Sequence, residues 1–220
     1  MRYLLIPVKD LTRAKQRMAP LMTQEERTLL AEELMRNTLA AAARVRHAAR
    51  IAVVTLYPPA IDLAGRLGMQ VIRELRQISE SDSVDYGSRE AMKAGATAVL
   101  RLPIDLPLIS TEEIDFVLEQ DREGPAVVPT VVMVPSRDGT GTNAILRRPP
   151  DLFPSHFGPN SLAKHIEEAR NAGADCRILH LPRIGFDLDD PTDLAELFRQ
   201  PEPSPIHSLL KNMGVETRLP

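Results

Sequence analysis

Apolar residues in the first hundred positions come in short unbroken runs, separated by longer stretches of helical period. Tyr3 to Val8 is such a run and reads as a buried strand, and further runs at 51–56, 69–72 and 98–102 predict three more. Thr23 and Glu26 form a T-x-x-E capping box that opens a long helix to about His47, with Leu30, Leu34, Ala41 and Val45 on one stripe. A short helix over 61–67 ends at Gly68, and another over 84–93 ends at Gly95. Repeated strand–helix–strand units of this length predict an α/β fold, a mostly parallel Rossmann-like sheet with helices on both faces. In such sheets ligands sit beyond the carboxyl ends of the strands, so the segments after each strand are where chemistry is sought.

The second half is less regular. Ser110 and Glu113 form an S-x-x-E box for a helix to about Gln120, and residues 126–134 and 143–146 read as strands joined by the polar loop 136–142. A helix follows Asn160 and Ser161, then a strand around 177–181. Asp190 and Pro191 suit the N-cap and first turn of a last core helix through Phe198. Pro201, Pro203 and Pro205 mark a linker, so one domain over 1–200 is expected, with a linker and short helical tail over 201–220.

Composition narrows the class. The 220 residues are 43% hydrophobic, enough to fill one core, and the net charge of -3 comes from interspersed signs without basic runs. That speaks against nucleic acid or an anionic membrane as partner. Cys176 is the single cysteine, which leaves no intrachain disulfide and no cysteine-rich metal site. The apolar run at the N-terminus is short for a signal peptide, and no window approaches the ~20 apolar residues of a membrane span. A soluble cytoplasmic protein is expected.

Candidate chemistry follows the strands. Asp105 stands between Pro103 and Pro107 directly after the fourth strand, where a carboxylate is rigidly placed for a hard cation such as magnesium; the alternative is a turn or capping residue. Asp187 and Asp189 share one side if their segment is extended, and either would complete a magnesium–triphosphate site with Asp105. Asp190 is better read as an N-cap and Asp193 as a helix-dipole residue. Lys9, Arg13, Lys15 and Arg17 follow the first strand and could hold a triphosphate, or simply be surface charge; neither a Walker loop nor G-x-G-x-x-G is present. The loop 138–142 offers glycine amides and threonine hydroxyls as an anion cradle, or is a plain hairpin turn. Gly158 to Ser161 is an anion site at a helix start or merely a cap. His156 and His165 flank it, but without ligand spacing they read as core or surface residues, and Met18, Met22, Met35 and Met92 as core filling.

Five segments together resemble the 2-phospho-L-lactate and phosphoenolpyruvate guanylyltransferase family of deazaflavin coenzyme (F-420) biosynthesis, which is related to molybdenum-cofactor guanylyltransferases. They are Ile6 to Lys9 with Ala14 to Met18, Leu102 to Leu108, Gly139 to Asn143, Phe157 to Ser161, and Asp187 to Leu194. They occur in the family's order and span nearly the whole core. The resemblance implies a nucleotidyltransferase fold like that of nucleotide-diphospho-sugar transferases. It also implies transfer of GMP from GTP to a phosphorylated acid (2-phospho-L-lactate, phosphoenolpyruvate or 3-phospho-D-glycerate) with release of pyrophosphate.

On the same resemblance, Pro7, Val8, Lys9, Lys15 and Arg17 fall in the GTP loop, with Lys15 and Asp105 catalytic. Asp105, Asp187 and Asp189 are the metal carboxylates, for Mg2+, and Thr142, Gly158 and Ser161 contact the acid. Where relatives open the helix after the third strand with Gly-Leu-Asn, this chain has Ser83, Val84 and Asp85. Asp85, or a neighbouring backbone carbonyl, is therefore the candidate reader of guanine, whose N1–H and exocyclic amine a carboxylate can accept; the alternative is that Asp85 merely favours the helix dipole near the N-terminus. A second copy of the chain and a downstream transferase that takes over the product are the other expected partners. The rival readings are a glycosyltransferase using a nucleotide sugar and a non-catalytic nucleotide-binding module.

Overall fold

The computed structural model describes residues 1–121, 128–201 and 204–219. Its strands are β1 (Arg2–Val8), β2 (Arg50–Thr55), β3 (Gln70–Ile72), β4 (Ala98–Arg101), β5 (Thr130–Pro135), β6 (Thr142–Arg148) and β7 (Asp175–Ile178). They form one sheet in the order β3-β2-β1-β4-β6-β5-β7. Only β6 runs against its neighbours, and the other pairings are parallel. The helices are α1 (Gln24–Ala42), α2 (Pro58–Arg66), α3 (Glu80–Lys93), α4 (Thr111–Glu119), α5 (Ser161–Asn171), α6 (Pro191–Arg199) and α7 (Pro205–Asn212).

The unbroken apolar run of β1 has its reason in the layers around it. Leu4, Ile6 and Val8 pack with residues of α1, α2 and α4 on one face, while Tyr3 and Leu5 pack with Val84 and Ala91 of α3 on the other. Alternate side chains of a central parallel strand thus both reach a core. α3 lies so close to the sheet that a Cβ at Gly87 would stand 2.6 Å from Val54 Cγ2 and 3.0 Å from the Leu5 side chain. That helix needs a residue without a side chain there.

Helix boundaries depart from the sequence reading where local chemistry competes. The Thr23–Glu26 box forms in both directions, but α1 stops at Ala42, and Arg46 and His47 turn their amides onto the Asp115 carboxylate at 2.9 and 3.1 Å. α3 starts four residues earlier than expected, because Ser79 accepts the Asp82 N–H as N-cap. Asp85 is consequently well inside the helix and not at its dipole end. The Ser110 box is only half made, since the Glu113 carboxylate accepts the backbone N–H of Arg183 and Ile184 instead. β7 begins two residues before its expected start. The expected strand 126–134 begins at Thr130, and residues 126–127 lie outside the described residues.

The expected tail is built into a second apolar core. Ile206 and Leu210 of α7, with Val215, pack against Met18, Met22, Leu30, Leu34, Leu188 and Leu197. Glu202 and Pro203 of the expected linker lie outside the described residues. Among the described residues, no helix is long and apolar enough to cross a membrane.

Candidate active site

A cleft of about 1030 Å³ opens past the carboxyl ends of β1 and β4, where the reversed β6 also begins. Its chemistry centres on one ammonium. Lys15 takes a left-handed backbone (φ 53, ψ 44), unusual for a residue with a side chain and costing about 1–2 kcal/mol. In that conformation its Nζ stands 2.9 Å from Asp189 Oδ1 and 3.3 Å from Asp105 Oδ2. The lysine side chain is only 10% exposed. Burial alone would lower its pKa, but the charges of Asp105 and Asp189 outweigh it and raise it.

The two acidic segments are also joined through the backbone, because the Leu188 N–H donates to the Asp105 carbonyl at 3.0 Å. Burial would raise the Asp105 carboxyl, yet Lys15 and then Arg101 hold it below the ordinary range. Asp187 goes the other way. Burial, reinforced by the charges of Asp105 and Asp189, pushes it up to about 6, with the Asn143 amide pulling weakly against that. The ion pairs of Lys15 thus go to Asp105 and Asp189, and Asp187 faces like charge. Among the described residues no complete cation cage is preformed. Asp105 and Asp187 are nonetheless the hard oxygen donors that suit a divalent cation whose remaining ligands are phosphates.

Asp190 caps α6 by accepting from Thr192 and Asp193 N–H, as expected. Asp193 does more than favour the helix dipole, because its Oδ2 accepts the Asp189 N–H at 2.9 Å and so fixes Asp189.

Pro7, Lys9, Lys15 and Arg17 line the cleft from the β1 side, and Thr142, Gly158 and Ser161 from the β6–α5 side. Two expected residues do not. Val8 points into the core. Asp85 is engaged by Ser155, whose hydroxyl donates at 2.6 Å and whose amide donates at 3.1 Å, and it lies 3.5 Å from the buried Arg147 guanidinium. The Asp85 carboxylate is thus engaged within the fold, and this geometry lends no support to its reading as the guanine selector.

The loop 136–141 is the hairpin alternative. Gly141 N–H donates to Ser136 Oγ and Thr140 N–H to Asp138, so those amides are consumed inside the turn. The Ser136 hydroxyl, followed by the Thr140 amide, draws Asp138 down to about 2.

Sequence reasoning passed over Arg101 and Glu80. Arg101 ends β4 almost fully buried, pairs with Glu80, stacks 4.0 Å over the Phe157 ring, and donates to the Thr142 and Asn143 carbonyls. The available signal was an arginine inside the apolar run 98–102, a position that demands a dedicated partner.

A phosphoenolpyruvate guanylyltransferase of Rubrobacter xylanophilus is 35% identical over 195 residues, covering 89% of this chain and 92% of that relative. A 3-phospho-D-glycerate guanylyltransferase of Colwellia psychrerythraea is 28% identical, covering 88% and 90%. Among solved structures, one from Desulfovibrio desulfuricans, provisionally named a nucleotide-diphospho-sugar transferase, superposes with a TM-score of 0.78 at 17% identity, covering 99% of this chain and 97% of that one. A 4-diphosphocytidyl-2C-methyl-D-erythritol synthase of Anaerococcus prevotii gives 0.61 at 10% identity, covering 96% of each. These structural likenesses establish a nucleotidyltransferase fold. The family described as Guanylyl transferase CofC like matches residues 1–219, so its pattern runs through the C-terminal segment as well as the cleft, and the chain belongs to that family.

Proposed function

We propose that this protein transfers GMP from GTP to a small phosphorylated acid, 2-phospho-L-lactate, phosphoenolpyruvate or 3-phospho-D-glycerate, and releases pyrophosphate. The observation that carries the reading is the cluster of Lys15, Asp105, Asp187 and Asp189 at one point of the cleft, in a chain of this family. A phosphate oxygen of the acid attacks the α-phosphorus in line, and the bond from that phosphorus to the β-bridging oxygen breaks. The acceptor phosphate is already ionised at neutral pH, so no protein nucleophile is required. Catalysis is then positioning and charge stabilisation.

Lys15, with Lys9 and Arg17 on the same side of the cleft, takes the phosphates of the nucleotide and offsets the charge that grows on pyrophosphate. Asp105 and Asp187 would hold a magnesium ion, which when bound supplies Lewis-acid neutralisation of the phosphates. Thr142 and Ser161 face the acid from the opposite wall. The product joins the acid to GMP through a diphosphate, an activated donor suited to a downstream transferase in deazaflavin coenzyme assembly.

Pyrophosphate release measured over a matrix of nucleoside triphosphates and phospho-acids tests this. GTP with one of the three acids should stand out. Release of a nucleoside diphosphate from a sugar nucleotide, or tight GTP binding without turnover on every acid, would overturn it.

A further inference from the structure

His165 lies on α5 with no solvent exposure, behind the wall that Thr142 and Ser161 present to the cleft. The His156 backbone N–H donates to its Nε2 at 2.9 Å. An amide N–H cannot accept, so Nε2 carries no proton and a neutral ring must carry it on Nδ1. Nδ1 stands 3.0 Å from Thr142 Oγ1, so there the ring donates and the hydroxyl accepts. Phe157 packs edge-on at 5.1 Å between ring centroids and helps hold the imidazole in place. Burial, then the charges of Arg147, His156, Arg101 and Lys164, pulls its pKa to about 3, which keeps the ring neutral.

The hydroxyl of Thr142 therefore has its own hydrogen left over. No other partner of Thr142 Oγ1 exists among the described residues. Ser161 is in the same position, because its Oγ accepts the Thr142 N–H at 2.8 Å. Each of the two neighbouring hydroxyls thus accepts a hydrogen bond from the protein and keeps its own hydrogen free to donate. Two such hydrogens side by side suit the carboxylate or phosphate oxygens of a ligand.

We propose that His165 is a positioning residue for the phospho-acid, its Nδ1–H fixing the Thr142 hydroxyl as a hydrogen-bond donor aimed into the cleft. The inference rests on the guanylyl transfer proposed above and goes beyond it by naming the group that sets the donor.

Three substitutions separate this role from simple packing. His165→Asn keeps an N–H near the Nδ1 position, His165→Gln keeps an amide near Nε2 only, and His165→Phe keeps neither. With phosphoenolpyruvate as the varied substrate, the Phe and Gln variants should raise its KM about tenfold or more. Their KM for GTP should stay within about twofold, and the Asn variant should remain near wild type. Adding Thr142→Val to His165→Phe should cost nothing further, since both remove one interaction.

Nitrogen-15 shifts of the wild-type ring provide a readout that does not depend on a variant folding. They should show Nδ1 protonated, and a proton on Nε2 would overturn the proposal. A wild-type chain inactive on every phospho-acid overturns this inference together with the proposed function. An active chain whose KM values are unmoved in His165→Phe overturns the inference alone.

Discussion

Two ionic clusters sit at opposite edges of the same sheet and are built to opposite plans. At the amino end of β1, Asp121 is completely buried, receives the Arg2 guanidinium at 3.0 Å, and is clasped through both carboxylate oxygens by Arg148. β6 runs backwards, which is why its last residue, Arg148, arrives beside the first residues of β1. One negative charge meets two positive ones, and the forked contacts leave the carboxylate satisfied. At the carboxyl end, three carboxylates meet one close lysine; the charge of Arg101, itself paired with Glu80, also acts on Asp105 and Asp187, and Arg17 reaches Asp189 only at 4.0 Å from a side chain that is 75% exposed. In the first cluster both carboxylate oxygens are taken by cations, and in the second the negative groups outnumber the close positive ones. That contrast fits a fold-holding ion pair at one end and the proposed cation and phosphate site at the other.

The largest effect should come from breaking the closed cluster. Asp121→Ala removes the buried carboxylate that two largely buried guanidinium groups share and should cost about 3–5 kcal/mol of stability. Urea denaturation measures it, while turnover per folded molecule should be unchanged. A loss of activity without a loss of stability would erase the distinction between the two edges.

Asp105→Asn probes the open cluster and should do the reverse. Turnover should fall by about two powers of ten or more, with the melting temperature nearly unmoved, because Lys15 keeps Asp189. Near-normal pyrophosphate release at saturating magnesium would remove Asp105 from the chemistry.

Asp85→Ala asks to which side a third carboxylate belongs. Its bonds to Ser155 and the buried Arg147 place it with the structural group, so the cost should be about 1–3 kcal/mol of stability. The ratio of kcat/KM for GTP over ATP should not change. A tenfold fall in that ratio would return the residue to the base.

The smallest effect is one of pH. The folded pKa of Asp187, about 6, lies above its ordinary value of 3.8, so the native state binds that proton more readily than the unfolded chain. Its contribution to metal-free stability is therefore unfavourable above about pH 6 and is relieved as pH falls from there toward 4. Asp187→Asn should remove this slope and make the metal-free protein more stable at pH 8 by at most about 1–2 kcal/mol, allowing for partial screening. Equal melting curves for the two proteins at pH 8 would mean that Asp187 already has a cationic partner.

How much of this was legible depends on the range of the interaction. The β1 run, the Thr23–Glu26 box and the Asp190–Pro191 start of α6 were readable because each signal lies within one or two turns of chain. Asp105 was readable from its prolines and its place after β4. The half-made box at Ser110 misled because Glu113 found a better partner some seventy residues away, at the Arg183 and Ile184 amides. Arg101 and Glu80 were missed for a similar reason, since their meaning lies in partners far along the chain, and His165 was read as core or surface without its bond to Thr142, 23 positions away. Leu188, Leu210 and Met18 show the same limit on the apolar side. Their shared core ties the loop of Lys15, the Asp187–Asp189 segment and the C-terminal helix together, and no local periodicity reports that.

By itself the amino-acid sequence determined the α/β class with helices on both faces of the sheet, the strand ends past which the cleft opens, and several of the charged residues that line it. Hydrophobic period, capping and turn chemistry are short-range and survive being read one segment at a time. Only the tertiary structure decided which charges meet. It placed Lys15 between Asp105 and Asp189, left Asp187 among like charges, and withdrew Asp85 into a structural contact. The physical reason is that burial and electrostatic energy depend on distance through space, and pairs such as Lys15 and Asp189 are 174 positions apart in the chain yet 2.9 Å apart in the fold.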